Sequence, residues 1–281
     1  STMFSQMLND LHLDSSFLPS VRALAIVFAL GAGLVLFFAR KNLRAGLRGE
    51  LGQRYKTWLL LAPAYLLAVY GGGWLGAATW LLAVAALLRE CIATLRIARP
   101  FSVLLYALIP VTLLAAVQAP QLFPALAVLA VILPGGVAIL KNSRSPGTLA
   151  EANSAALQTS QSYLHLIRSL GHVILLHQLG GPGLVMMLGV AIALGDGMRY
   201  CAGKLLGRHL IAPAVSPNKA WEGLLGDFAG AALAVALFGF VALPGFTPWH
   251  KAALVGIIGL SASWGDMLSS LVKRAAGVKD W

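Results

Sequence analysis

A succession of apolar runs, each near membrane-spanning length, constrains this chain more than any other feature. The runs cover approximately residues 18–39, 57–70, 74–88, 101–117, 121–140, 161–179, 183–198, 223–243 and 250–272. An α-helix needs about 20 apolar residues to cross the hydrocarbon of a bilayer. Inside it, backbone polar groups must be satisfied within the segment, and for runs this long and this uniformly apolar that means helices. Turn formers separate the runs: Gly71-Gly72-Gly73, Pro120, Gly180-Gly181-Pro182 and Pro244-Gly245. Only 11% of residues are charged and 58% are hydrophobic, whereas a soluble domain carries about 25% charged residues. The expected fold is an all-α, polytopic transmembrane bundle of about nine spans. It is read as N-terminal helices over 1–180 and a C-terminal region with polar loops over 181–281.

The charges that remain are unevenly placed. The chain has 21 Lys and Arg against 10 Asp and Glu. Alternate loops carry Arg40, Lys41, Arg44, Arg48, Arg54 and Lys56; Arg89, Arg96 and Arg99; Lys141 and Arg144; Arg199, Lys204, Arg208 and Lys219; and Lys273, Arg274 and Lys279. Only Arg22, Arg168 and Lys251 lie elsewhere. By the positive-inside rule those loops face the cytoplasm and the N-terminus lies outside. A basic surplus can also mark nucleic-acid binding, but no basic-aromatic module is present. An anionic lipid or nucleotide partner fits the pattern better. Cys91 and Cys201 have neither metal-ligand spacing nor a disulfide framework.

Polar residues are scarce enough that three clusters stand out. The first is Gly195-Asp196-Gly197-Met198-Arg199-Tyr200, leading to Gly203, Gly207 and Arg208. Tyr200 follows Asp196 by one helical turn, and the glycines continue as a small-residue stripe. The structural alternative is a helix-packing seam; the functional one is a carboxylate facing a phosphate-binding loop. The second cluster is Ser216-Pro217-Asn218-Lys219-Ala220-Trp221-Glu222-Gly223. Here Ser216 could cap a helix with Pro217 in its first turn, leaving Lys219 and Glu222 as an i, i+3 pair. Asp227 follows inside the apolar run, where an unpaired carboxylate is costly.

The third cluster holds Ser261, Ser263, Gly265, Asp266, Ser269, Ser270, Lys273, Arg274, Lys279 and Asp280. Asp266, Ser269 or Ser270, and Lys273 share one helical face over about 10 Å. An intramembrane carboxylate beside hydroxyls and cations reads as a polar pathway or active site, or as an Asp-Lys pair that ties helices together. Carboxylates bind Mg²⁺ while Lys and Arg hold phosphate oxygens, as nucleotidyl transfer requires. His165, Arg168 and His172 also share a helical face, which reads best as hydrogen bonding between helices. No H-E-x-x-H pattern supports a zinc protease.

The three clusters, in this order, resemble the CDP-diacylglycerol synthase (phosphatidate cytidylyltransferase) family over roughly residues 190–281. The family's Ser-Pro-x-Lys-x-x-Glu-Gly element is matched by Ser216 to Gly223. Its Ser-x-x-Lys-Arg opening, followed by Lys-Asp, is matched by Ser270-Leu271-Val272-Lys273-Arg274 and Lys279-Asp280. Gly265-Asp266 matches the preceding Gly-Asp, and Asp196, Tyr200, Gly203, Gly207 and Arg208 match the acidic-aromatic element. Gly195 stands where the family usually has Asn, Arg199 where it has Ala, Ala220 where Thr is common, and Asp227 where Gly is common. No family role is therefore carried onto Asp227. The remainder of the signature, Pro-Gly-His-Gly-Gly and a following Asp-Arg, does not occur before Trp281.

The resemblance implies a membrane enzyme converting CTP and phosphatidate to CDP-diacylglycerol and pyrophosphate. It implies Mg²⁺ held by Asp266, Asp196 and Asp280, and allows a second metal ion and a homodimer. Lys219, Lys273, Asp266 and Asp196 would serve the chemistry. Ser216, Arg208, Glu222, Ser270, Arg274, Lys279 and Tyr200 would bind substrate. The expected setting is a bacterial cytoplasmic membrane, with the site facing the cytoplasm and no nucleic-acid partner. A CTP-dependent polyprenol or phytol kinase, or a related CDP-lipid synthase, would use the same residues. An inactive homologue or a transporter is the reading from another class. A CDP-alcohol phosphotransferase is disfavoured, because its Asp-Gly-x-x-Ala-Arg pattern fails at Asp196 to Cys201.

Overall fold

A computed structural model describes residues 15–40, 48–144, 149–213, 215–217 and 219–278. The helices are α1 (Phe17–Phe38), α2 (Glu50–Tyr70), α3 (Gly73–Leu95), α4 (Arg99–Gln118), α5 (Leu126–Arg144), α6 (Leu149–Ser162), α7 (Arg168–Leu206), α8 (Trp221–Ala242) and α9 (Pro248–Ala275). A 3-10 turn, Pro120–Ala125, precedes α5, and a π-helical turn, Tyr163–Ile167, joins α6 to α7. Among the described residues there is no strand, only a bridge between Leu210 and Ala220. The protein is an all-α polytopic membrane protein.

Among the described residues seven stretches are long and apolar enough to cross a bilayer, against the nine runs read from sequence. Two physical reasons account for the difference. The first turns of α2 carry Glu50, Arg54 and Lys56, so that helix is not among the seven. Runs 161–179 and 183–198 belong to one helical stretch, Leu149–Leu206, counted once. Its path is broken at Gly181, whose φ of 71° and ψ of −179° leave the helical region. Such a positive φ is readily adopted by glycine, and Pro182 follows to begin the next segment. Large apolar side chains such as Leu60, Leu82, Ile139 and Phe240 lie on the outside, while Ala231 and Ala234 are buried. Exposed large apolar side chains suit helices that face lipid, and buried alanines on α8 suit close helix packing.

The chain forms two compact units. In the first, the chain up to Gly76 groups with Gly180–Ala275. In this first unit, Tyr65 donates to the Val185 carbonyl at 2.5 Å, and Ser20 and Tyr70 share a buried hydrogen bond of 2.7 Å. The second unit, Ala77–Leu179, has its core around Leu88, Leu105, Ile109, Phe123, Tyr163 and Ile167. Within it Tyr163 and Thr112 hydrogen-bond at 3.0 Å, and Arg168 and His172 both lie against the Phe123 ring. Arg168 and His172 thus pack against that ring, and His172 Nδ1 lies 3.0 Å from the Arg168 carbonyl of its own helix, in place of the hydrogen bonding between helices that the spacing suggested for them.

Candidate active site

The polar cluster of the first unit is assembled from α2, the second half of α7, the loop 207–220, α8 and α9. Glycine brings α7 and α8 together. A Cβ on Gly226 would come 2.5 Å from the Arg199 backbone nitrogen, and one on Gly230 2.4 Å from that of Gly195. Four residues apart on α8, Gly226 and Gly230 form a small-residue seam of the kind that lets membrane helices approach closely. The seam thus runs through Gly195, Gly226 and Gly230. Gly203, expected to extend it, has open space where a Cβ would stand.

Asp227, between the two α8 glycines, has a fully buried side chain. It accepts from Arg199 Nε at 3.0 Å and Nη2 at 2.8 Å, and from the Ser263 hydroxyl of α9. The cost of an intramembrane carboxylate is thus met by an arginine and a hydroxyl. The third nitrogen of Arg199, Nη1, reaches Oδ2 of Asp266. Lys219 Nζ reaches the same oxygen at 2.8 Å and donates to the Ser270 hydroxyl oxygen at 3.0 Å. Ser270 in turn donates to the Asp266 carbonyl at 2.9 Å. The Asp-Lys pair suggested by helical spacing therefore forms with a different lysine: the partners of Asp266 are Arg199 and Lys219, not Lys273.

Lys219 gets there because the loop folds back on itself. Ile211 donates to the Lys219 carbonyl and Trp221 to the His209 carbonyl, both at 2.9 Å. Glu222 closes the base, accepting from the His209 amide and lying 2.7 Å from its Nδ1. These pairings hold Ala220 extended, so α8 starts at Trp221 with Ala220 as its N-cap. Ser216 is therefore not a cap and Pro217 not in a helix, and the expected Lys219–Glu222 pair is replaced by Lys219–Asp266 and Glu222–His209. Burial lowers the pKa of Lys219 from its usual value; Asp266 opposes that shift, while Arg199 and Lys273 reinforce it.

Asp196 is held separately. Arg54 of α2 donates to its carboxylate and to Glu50 at 2.8 Å, while its guanidinium sits over the Tyr200 ring, 5.3 Å from the centroid. Among the remaining expected residues, Arg274 donates to the Val215 carbonyl at 3.4 Å, Lys273 is half-buried, and Ser216 lies in the loop. Arg208 is exposed. Lys279 and Asp280 lie outside the described residues. Sequence reasoning missed Arg54 and gave no role to Arg199 or Asp227. Two signals pointed to them: Arg199 and Asp227 both depart from the family pattern, and Asp227 is a carboxylate inside an apolar run that needs a partner.

Among the described residues no three His, Cys, Asp or Glu side chains gather as a metal cage. Mg²⁺ is commonly held by one or two carboxylates together with substrate phosphates. Asp196 and Asp266, 34% and 42% exposed, supply oxygens of that kind. Each is a part-exposed carboxylate of the type a dication takes, and each is held by cations of its own, Asp196 by Arg54 and Asp266 by Arg199 and Lys219.

These features define an integral membrane protein with a cation-rich, carboxylate-bearing site built between helices. The chain belongs to the cytidylyltransferase family, whose model matches residues 52–281. It is 37% identical over 107 residues to the phosphatidate cytidylyltransferase of Mycobacterium leprae, covering 38% of this chain and 34% of that protein. It is 35% identical over 106 residues to the phosphatidate cytidylyltransferase of Haemophilus influenzae, 35% of this chain and 36% of the relative. With that of Brucella abortus biovar 1 it shares 40% over 85 residues, 29% and 30% of the two chains. The matched stretches span about a third of the length of these relatives.

Proposed function

We propose that the protein is a membrane nucleotidyltransferase that makes CDP-diacylglycerol and pyrophosphate from CTP and phosphatidate. The observation that carries this reading is the convergence of Arg199 and Lys219 on one oxygen of Asp266, beside the Ser270 hydroxyl. Family membership and the names of the relatives supply the substrates. A phosphatidate oxygen attacks the α-phosphorus of CTP, the α–β bridging P–O bond breaks, and pyrophosphate leaves with that electron pair. The lipid phosphate is already a nucleophile, so no covalent protein intermediate is required.

In this reading Lys219 holds a phosphate oxygen and Ser270 orients it, with Lys273, Arg274, Arg208, Ser216 and Lys279 as further contacts. Fixed cations aimed at developing phosphate charge are a large source of rate enhancement. Tyr200 and Glu222 shape the substrate site. Mg²⁺ accompanying the nucleotide would be held by Asp266 and Asp196, with Asp280 as a further candidate, and would withdraw charge from the phosphates. The site faces the cytoplasm of a bacterial cell, where CTP is available, and phosphatidate enters from the membrane.

The test is direct. Purified protein in detergent is given radiolabelled CTP with phosphatidate, polyprenol and diacylglycerol side by side. CDP-diacylglycerol formed only with phosphatidate is the expected result. Label transferred only to a free alcohol would replace this reading with a CTP-dependent lipid kinase.

A further inference from the structure

The four ionic groups at the centre of the site differ in exposure, and the difference has a direction. The side chains of Asp227, Lys219 and Arg199 are 0%, 16% and 18% exposed, while that of Asp266 is 42% exposed. The cations are thus fixed in the protein, and the carboxylate on which they converge is the member open to exchange.

Arg199 is fixed in an unusual way. Asp227 takes two of its nitrogens, Nε and Nη2, and leaves Nη1 pointing at Asp266 Oδ2. The glycine seam presses the backbone around Arg199 against α8, which shortens the reach from Arg199 to Asp227. A guanidinium bound edge-on in this way has lost its rotamer freedom before any ligand arrives, so little further ordering is needed to use its free edge. Lys219, held by Ser270, offers a second donor to the same point. Two cationic donors meeting on one anionic oxygen is also how a phosphate oxygen is bound.

We propose that Arg199 and Lys219 form a two-cation clamp for a phosphate oxygen, and that Asp266 Oδ2 is a built-in surrogate for that oxygen. A substrate phosphate binds by exchange: its oxygen takes the place between the cations and the exposed Asp266 side chain swings out. The charge arithmetic supports exchange. Asp227 balances Arg199, so removing Asp266 leaves one uncompensated positive charge, that of Lys219, with two donors converging where the oxygen was. The inference rests on the phosphate-transfer reading for its choice of ligand, while the clamp itself rests on geometry. Both substrates of that reading carry phosphate, so two probes are needed.

The experiment is binding, not turnover. The full chain in detergent, with EDTA present, is titrated calorimetrically with inorganic pyrophosphate and separately with short-chain phosphatidate. Asp266→Asn should bind at least one of the probes about tenfold more tightly than the unaltered protein, as removal of one charged competitor predicts. Asp266→Ser, also neutral and smaller, serves where the Asn variant does not extract folded. Which probe gains identifies the nucleotide or the lipid phosphate as the clamp's ligand. A gain with neither overturns the proposal. So does an equal gain in Asp196→Asn, which would reduce the effect to bulk charge. Replacing the pair together, Arg199→Ala with Asp227→Gly, avoids stranding a buried carboxylate. In that background the gain should shrink, and a gain of full size overturns the part given to Arg199. Exchange without CTP turnover keeps the clamp and sinks the synthase reading; turnover without exchange does the reverse.

Discussion

Lys219 Nζ lies 2.8 Å from Oδ2 of Asp266, joining a residue of the loop before α8 to one 47 positions later on α9. That contact determines how a substitution of Lys219 is read. Its side chain is only 16% exposed, so it is not a solvated loop lysine whose loss is silent. Lys219→Met keeps most of the volume and removes the charge. It should lower kcat/KM for CTP by a factor corresponding to about 2–4 kcal/mol, as for other preorganised electrostatic donors. Stability should fall by only about 1–2 kcal/mol, since Arg199 still partners the partly exposed Asp266. Steady-state kinetics and thermal unfolding in the same detergent separate the two effects. Turnover and CTP dependence unchanged in Lys219→Met would reduce the contact to a structural tie.

Asp266 is tested by charge and by swap. Asp266→Asn keeps size and hydrogen bonding while removing the charge that both cations and a hard dication require. Turnover should fall to background while the protein still extracts as a folded species. If Asp266 served only to tie α9 to the loop, exchanging the charges as Asp266→Lys with Lys219→Asp would re-form the tie but set the new lysine beside Arg199, so stability and activity would recover in part. Activity assays and melting curves on the single and paired variants decide between these roles. An active, stable Asp266→Asn protein contradicts both.

The glycine seam makes a prediction about packing alone. Gly226→Ala puts a methyl group 2.5 Å from backbone atoms of Arg199, which cannot yield as the end of a side chain can. Overpacking of this sort costs about 1–3 kcal/mol, and Gly230→Ala should behave alike. Gly203→Ala and Gly197→Ala meet nothing within 4 Å and should be neutral or slightly stabilising. Melting temperatures of the four variants test the seam; equal behaviour would refute it.

Much of this fold could be read from the sequence because membrane spans advertise themselves one segment at a time. The apolar runs, the break at Gly181-Pro182 and the polar clusters around Asp196, Lys219 and Asp266 all follow from local chemistry. Pairing between them does not. Spacing on one helix pointed Asp266 at Lys273, but its partners come from the loop before α8 and from α7, because helix packing decides which cation arrives. The start of α8 was misread for a related reason. Ser216-Pro217 is a good local opening for a helix, yet the chain turns there, and backbone bonds from 211 to 219 and from 221 to 209 keep Ala220 extended, so the helix begins only at Trp221. Arg54 was counted only as a loop charge, since nothing near it in sequence hints at a carboxylate 142 positions away.

Arg54 is therefore the most informative residue that the sequence left unassigned. It binds Asp196 and Glu50 and covers the Tyr200 ring, so it orders an acidic and an aromatic candidate at once. Acting on Asp196 through geometry, it is a positioning residue. Arg54→Lys keeps the charge but loses the planar fork that can serve two carboxylates and stack on a ring. If Asp196 needs only a nearby cation, the Lys variant should match the unaltered protein. If it must be oriented, kcat for CTP should fall in Arg54→Lys nearly as far as in Arg54→Gln, with KM changing less. A double-mutant cycle with Asp196→Asn should then return a coupling of about 1–3 kcal/mol in the activation free energy derived from kcat, the range for residues in direct contact. Additive effects in that cycle would show that Arg54 and Asp196 work independently and that their contact is incidental to turnover.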